Sequence, residues 1–193
     1  MKPFSQAAEN NKGPILDVLR DYLTAPGDLL EIGAGTGQHA VWLAPHFPQV
    51  RWTPTELPEN LDGLSQWLAD APGDNLAEPL ALDVEGDWPA QAYRYIFTAN
   101  TFHIVSRPQV ELCIRRVCET LLPDGRFLVY GPFNYHGTYT SDSNREFDLS
   151  LKARDIAMGI RDQEWVVERF AEHGRELIHD HAMPANNRIL VFG

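Results

Sequence analysis

Cysteine is nearly missing from this chain of 193 residues: only Cys113 and Cys118 occur. Both stand inside an apolar pattern of helical spacing. Buried core thiols are therefore expected, and no metal site or disulfide framework. Basic residues are also scarce, 16 Lys+Arg against 27 Asp+Glu, for a formal charge of -11. A partner made of nucleic-acid backbone needs a basic surface, so none is expected. A polybasic membrane-surface module is excluded on the same ground. No apolar run approaches the roughly 18 residues that span a bilayer. The segment Met1 to Lys12 is polar and lacks an apolar signal core. A cytoplasmic protein in a reducing compartment is the expectation. Repeats, low-complexity tracts and dividing linkers are absent too. One domain over 1–193 is expected, with an N-terminal arm at 1–13 and a lid-like insertion at 132–160.

Strand and helix signals alternate along the chain. Gly13-Pro14 reads as a helix opening, followed by Ile15, Leu16, Val18, Leu19, Tyr22 and Leu23 on one face. Strands are expected at 28–32, 50–55, 79–84, 94–99 and 127–130. Helices are expected at 38–47 and 57–71, and Val110, Cys113, Ile114, Val117, Cys118 and Leu121 form a further helical stripe. Ser143-x-x-Glu146 is a capping-box pattern for a helix to about Arg154. Another helix is expected over 162–173, stopped by Gly174. Two final strand-like runs, 176–182 and 188–192, are separated only by Met183 to Asn187. A parallel crossover needs a dozen or more residues, so the last strand must run antiparallel to its predecessor. The expected fold is α/β: a Rossmann-like seven-stranded sheet, mostly parallel, with an antiparallel last strand and helices on both faces.

The sharpest motif is Glu31-Ile32-Gly33-Ala34-Gly35-Thr36-Gly37, between a strand and a helix. Glycines there admit a ligand to within contact of the main chain. The helix start offers unpaired N–H groups to an anion. A dinucleotide fingerprint would put its third glycine at position 38, which is Gln38. The spacing instead resembles motif I of class I S-adenosylmethionine-dependent methyltransferases. That resemblance implies S-adenosylmethionine as cofactor, held by Glu31, Gly33, Ala34, Gly35 and Gly37. Glu56 ends the second strand, where a carboxylate accepts ribose hydroxyls. Asp83, followed by Val84, ends the third, either beside the adenine amino group or as a turn cap. Asn100 ends the fourth, on the same sheet edge.

The chain also resembles one family nearly end to end. The segments Glu9-Asn10-Asn11-Lys12, Leu30 to Ala40, Phe102-His103-Ile104, Tyr130-Gly131-Pro132-Phe133, Ser143-Asn144, Phe147-Asp148, Gly159-Ile160-Arg161-Asp162 and Met183-Pro184-Ala185-Asn186-Asn187 carry the likeness. They are similar to the methyltransferase family that includes methyltransferase-like twenty-six. The resemblance implies a class I fold and S-adenosylmethionine binding, and names no acceptor. Glu56 departs from an expected Asp, Met158 from Trp, and Asn10 from Arg.

Methyl transfer chiefly requires alignment of acceptor and methyl; a base matters only if the acceptor must lose a proton. His103 is the first candidate base, with a structural histidine as the alternative. Tyr135, on the loop after the fifth strand, is the second candidate catalytic group. That loop and the final hairpin supply Tyr130, Asn134, Tyr139, Asn186 and Asn187 as candidate acceptor contacts. Asn100-Thr101-Phe102-His103 lacks the Asn-Pro-Pro-Tyr pattern of amide and nucleobase methylation. A small-molecule acceptor is therefore expected. A noncatalytic binding module is the alternative.

Overall fold

The computed structural model describes residues 2–71 and 73–193. The chain runs through α1 (Gln6–Tyr22), β1 (Gly27–Ile32), α2 (Gln38–Leu43), β2 (Val50–Glu56), α3 (Leu61–Leu68), β3 (Leu80–Ala81), β4 (Tyr93–Ala99) and α4 (Arg107–Thr120). It continues through β5 (Leu121–Gly131), β6 (Phe133–Asn134), α5 (Asp142–Arg154), β7 (Arg161–Asp162), α6 (Gln163–Ala171), β8 (Leu177–Met183) and β9 (Asn187–Phe192). Seven strands form one sheet in the order β3-β2-β1-β4-β5-β9-β8, and β6 pairs with β7 apart from it. All neighbours from β3 to β5 are parallel. Only β9 runs against its neighbours β5 and β8. The expected sheet is thus present, and the short connection forces the reversal as anticipated.

Each face of the sheet carries a core. On one face Ile15, Leu16 and Leu19 of α1 pack with Leu43, Trp52, Phe97 and Val191. On the other, Val110, Ile114 and Val117 of α4 pack with Val166 and Phe170 of α6 and with Phe127 and Phe192. Phe170 and Phe192 stack at 3.9 Å between ring centroids. Full burial of each such side chain stabilises the fold by about 1.5–3 kcal/mol. Cys113 and Cys118 are free, the first buried. Burial pushes their thiols up to about 12 and about 11, so neither is reactive near neutral pH. No described helix is long and apolar enough to cross a membrane.

Several boundaries differ from the sequence reading. α1 begins at Gln6, so most of the expected arm is helix. Ser5 caps it by accepting the Ala8 N–H at 3.2 Å, and Pro14 lies inside it. A mid-helix proline costs roughly 3 kcal/mol. Burial of Ile15, Leu16 and Leu19 directly after it offsets that cost. Ser141, not Ser143, caps α5, accepting the Asn144 N–H at 3.1 Å. β3 is only two residues long, which leaves Asp83 in the following turn, where its carboxylate accepts the Glu85 N–H at 2.9 Å.

Candidate functional site

The loop after β1 holds Gly33, Gly35 and Gly37 at φ of 66°, 57° and 88°, conformations that favour glycine. The three glycines serve different ends. A Cβ on Gly33 would meet Thr101 Oγ1 at 2.9 Å, and one on Gly37 would meet Leu64 Cδ1 at 2.5 Å. Those two permit close packing of the loop on its neighbours. A Cβ on Gly35 would meet nothing within 4 Å, because it would stand in the open crevice. The loop is fastened by the Ala34 N–H to Thr55 O at 2.8 Å and by the Gly37 N–H to Ala34 O at 2.9 Å.

Glu56 closes this cradle from β2. Its Oε2 accepts the Gly35 N–H at 2.7 Å and its Oε1 accepts the Leu57 N–H at 2.9 Å. Asn60 Nδ2 donates to Oε1 as well, at 3.3 Å, so the carboxylate is fixed against the loop and its spare acceptor capacity lies on Oε2. A cavity of about 460 Å³ opens here, walled by Gly33, Ala34, Gly35, Glu56, Asp83, Val84 and Asn100 among others. Seven of the nine residues assigned from the sequence to cofactor binding are brought together in it. The other two stand behind the wall. Gly37 packs on α3, and Glu31 is 1% exposed, accepting the Trp52 indole N–H at 2.7 Å. Burial pushes the Glu31 carboxyl up to about 7; the Trp52 bond opposes the shift and the nearby Glu56 adds to it.

A second cavity, of about 430 Å³, is lined by Asn10, Asn11 and Pro14 of α1, by Asn100 and Tyr130, by Asn144 and Phe147 of α5, and by Pro184 and Asn187 of the closing hairpin. Asn100 lines both cavities, at the end of β4 with φ 59°. Its N–H donates to Tyr130 O at 2.9 Å, which ties the β4 and β5 ends together. Both cavities lie at the carboxyl ends of the parallel strands, the edge where open α/β sheets bind ligands. Burial raises the Tyr130 hydroxyl above its ordinary value, and the Asn11 and Asn187 amides pull it back in part.

α1, which begins within the segment read from the sequence as a polar arm, supplies wall to both cavities. Ser5 and Ala8 line the first cavity, and Ala7, Asn10, Asn11 and Pro14 the second. The helix is pinned to the glycine loop through Gln38, whose amide donates to Glu9 at 2.7 Å and accepts the Ser5 N–H at 2.5 Å. The Lys12 bond, with that of Gln38, holds the Glu9 carboxyl below its usual range. His39 lines the first cavity and pairs with Asn11 Oδ1 at 2.7 Å. Burial pulls His39 down to about 4, so it is neutral near pH 7. The Gln38-His39 pair at the start of α2 was the available signal for this docking.

Five assigned residues lie elsewhere. His103 lines neither cavity; it is 5% exposed, with its ring edge against Phe147 at 5.2 Å. Burial, reinforced by Arg161 and Arg154, pulls it down to about 4, which makes it a poor base. Tyr135 donates to Asp180 at 2.6 Å, and Arg188 holds the same carboxylate at 2.6 Å. Burial and that carboxylate push the Tyr135 hydroxyl further from ionisation. Tyr139 donates to the fully buried Asp148 at 2.6 Å, alongside Lys152 at 2.6 Å and the Ile160 N–H at 2.7 Å. Asn134 is buried in the β6–β7 pair, opposite Asp162. Asn186 offers its carbonyl to Asn144 at 3.2 Å and lines neither cavity. Tyr135 and Tyr139 are thus engaged within the fold through Asp180 and Asp148.

The glycine cradle, the strand-end carboxylate and the antiparallel closing hairpin stand together on a Rossmann-like sheet. The same fold occurs in the mitomycin 7-O-methyltransferase MmcR (TM-score 0.84, 20% identity), with 96% of this chain matched to 53% of that one. It also occurs in human N-acetylserotonin methyltransferase in complex with S-adenosylmethionine (0.83, 15%; 97% and 52%). A third example is an O-methyltransferase family 2 protein from Planctomyces limnophilus in complex with apigenin (0.80, 18%; 96% and 59%). The chain spans a little over half the length of these structures. It belongs to the family described as protein of unknown function (DUF938), whose model matches residues 2–193.

Proposed function

We propose that the chain is an S-adenosylmethionine-dependent methyltransferase acting on a small-molecule acceptor. The observation that carries this reading is the open Cβ position of Gly35 beside the fixed carboxylate of Glu56, in a cavity that shares Asn100 as a lining residue with a second one. The residues fit the cofactor. Gly33 to Gly35 would bear its main-chain contact, Glu56 the ribose hydroxyls, and Asp83 with Val84 the adenine. Its sulfonium supplies an activated methyl group. The chain's own contribution is positional: α1 walls both cavities and the second cavity aligns the acceptor. The likeness to the family that includes methyltransferase-like twenty-six belongs to this reading, as does a cytoplasmic setting, in keeping with two free cysteines.

One observation favours the alternative, a noncatalytic S-adenosylmethionine-binding module: His103 and Tyr135 are both engaged within the fold. Calorimetry with S-adenosylhomocysteine and with NAD tests the cofactor, and a response to NAD alone would overturn it. Labelled methyl transfer into a metabolite extract tests catalysis. Cofactor binding without labelled product would favour the module.

A further inference from the structure

We infer that the second cavity selects a small molecule with an uncharged body whose acceptor atom carries its own acidic hydrogen, a thiol or a phenol. The inference rests on the reading that the glycine cavity holds the methyl donor. Its first ground is the wall. Amides of Asn10, Asn11, Asn144 and Asn187, the Tyr130 hydroxyl, and the apolar Phe147 and prolines line the space, and no Asp, Glu, Lys, Arg or His is among them. A charged body would leave water there without an ion partner, which amides and prolines do not offset. The formal charge of -11 adds a long-range field against anions.

The second ground is the missing proton acceptor. His39, bonded to Asn11 Oδ1, lines the first cavity and not this one, and His103 lines neither. With no base in this cavity's wall, an O–H or S–H acceptor must lose its proton to water. Thiols and phenols do so with ordinary pKa values of about 8.5 and 10, whereas aliphatic alcohols do not. The acceptor's lone pair then forms the bond to the methyl carbon. The S–CH₃ bond breaks with its electron pair left on sulfur, so the donor sulfonium ends as a neutral thioether, and the acceptor proton has gone to solvent. The third ground is orientation of the amides. Asn144 Nδ2 is committed to Thr140 Oγ1 at 3.0 Å and to Asn186 O at 3.2 Å, so the group it offers is its Oδ1. An acceptor there meets a hydroxyl or amide N–H on the body of the substrate.

The test uses the full chain saturated with S-adenosylhomocysteine and four matched probes. These are para-hydroxybenzamide, para-mercaptobenzamide, the anionic para-hydroxybenzoate, and the alcohol para-(hydroxymethyl)benzamide. Calorimetry should give the benzamide phenol or thiol at least a tenfold tighter Kd than the benzoate. Asn144→Asp places a carboxylate where the Oδ1 stood and should widen that preference by repelling the benzoate, with Asn187→Asp as a second variant should the first fail to fold, and S-adenosylhomocysteine affinity should stay within threefold; an unchanged or narrowed preference in a folded variant would overturn the inference. With labelled S-adenosylmethionine, the pH profile should follow the probe, reaching its plateau at lower pH for the thiol than for the phenol. Tighter benzoate binding, equal transfer to the alcohol, one shared pH profile, or no probe binding would overturn the inference while leaving the cofactor reading intact. Absence of S-adenosylhomocysteine binding would overturn both.

Discussion

Glu56 offers the sharpest perturbation of the cradle. Its two carboxylate oxygens each accept a main-chain N–H, Oε2 from Gly35 and Oε1 from Leu57, and the residue is 9% exposed. Charge-assisted bonds are worth about 1.5–3 kcal/mol each. Two ribose hydroxyls on the carboxylate therefore contribute about 3 kcal/mol at the lower bound. Glu56→Ala removes both and should weaken S-adenosylhomocysteine binding by roughly a hundredfold or more, at tenfold per 1.4 kcal/mol. Glu56→Gln is no silent isostere. Its NH₂ must face one of the two N–H donors, so it should lose both affinity and about 1–3 kcal/mol of stability. Calorimetry reads the first effect and urea unfolding the second. Glu59→Gln, in the exposed turn that follows, is the control. A Kd within threefold of the parent in folded Glu56→Ala would show that no ligand sugar rests on this carboxylate.

The other glycines and acids separate binding from folding. Gly35→Asp should abolish S-adenosylhomocysteine binding in calorimetry while the protein stays folded, whereas Gly37→Ala should mainly lower the urea midpoint, because its Cβ strikes Leu64. Equal effects of the two on affinity would contradict these separate roles. Glu31 holds its proton in the native state up to about pH 7 and releases it near 4.5 when unfolded, so its contribution to stability falls as pH rises across that window. Glu31→Gln keeps an oxygen for Trp52 and should gain about 3 kcal/mol relative to the parent between pH 4.5 and 7 in urea titrations; a difference flat with pH would contradict that. His39 and His103, pulled from 6.5 to about 4, act in the opposite sense, and their contribution is lost as pH falls from 6.5 towards 4. Asp148→Ala should cost about 2–3 kcal/mol, since the Ile160 N–H loses its acceptor while the half-exposed Lys152 is rescued by water. A change below about 0.5 kcal/mol by urea unfolding would remove that cluster from the fold's supports.

Features with strong local causes were legible from the sequence. Positive φ at Gly33, Gly35 and Gly37 favours glycine, so the cradle leaves a direct mark in the chain. A five-residue connection cannot make a crossover, so the reversal of β9 follows from chain length alone. Glu56 and Asn100 were placed because parallel strands share their carboxyl edge. What failed depended on distant partners. Pro14 looks like a helix opening because proline favours a first turn, yet α1 extends back to Gln6, its cap Ser5 held by Gln38. That extension turns an arm into the shared wall of two cavities. His103 follows β4 closely enough to suggest a base, but α5 brings Phe147 over its ring. Tyr135 and Tyr139 are polar aromatics on a ligand-edge loop, and their destinations are set by Asp180 and Asp148, which no local pattern pairs with them.

Crystals grown with S-adenosylhomocysteine address the whole reading at once. The nucleoside should lie over Gly33 to Gly35 with both ribose hydroxyls within hydrogen-bond distance of Glu56, and its sulfur should face the cavity that begins at Asn100. A ligand bound elsewhere, or a ribose turned away from Glu56, would contradict it.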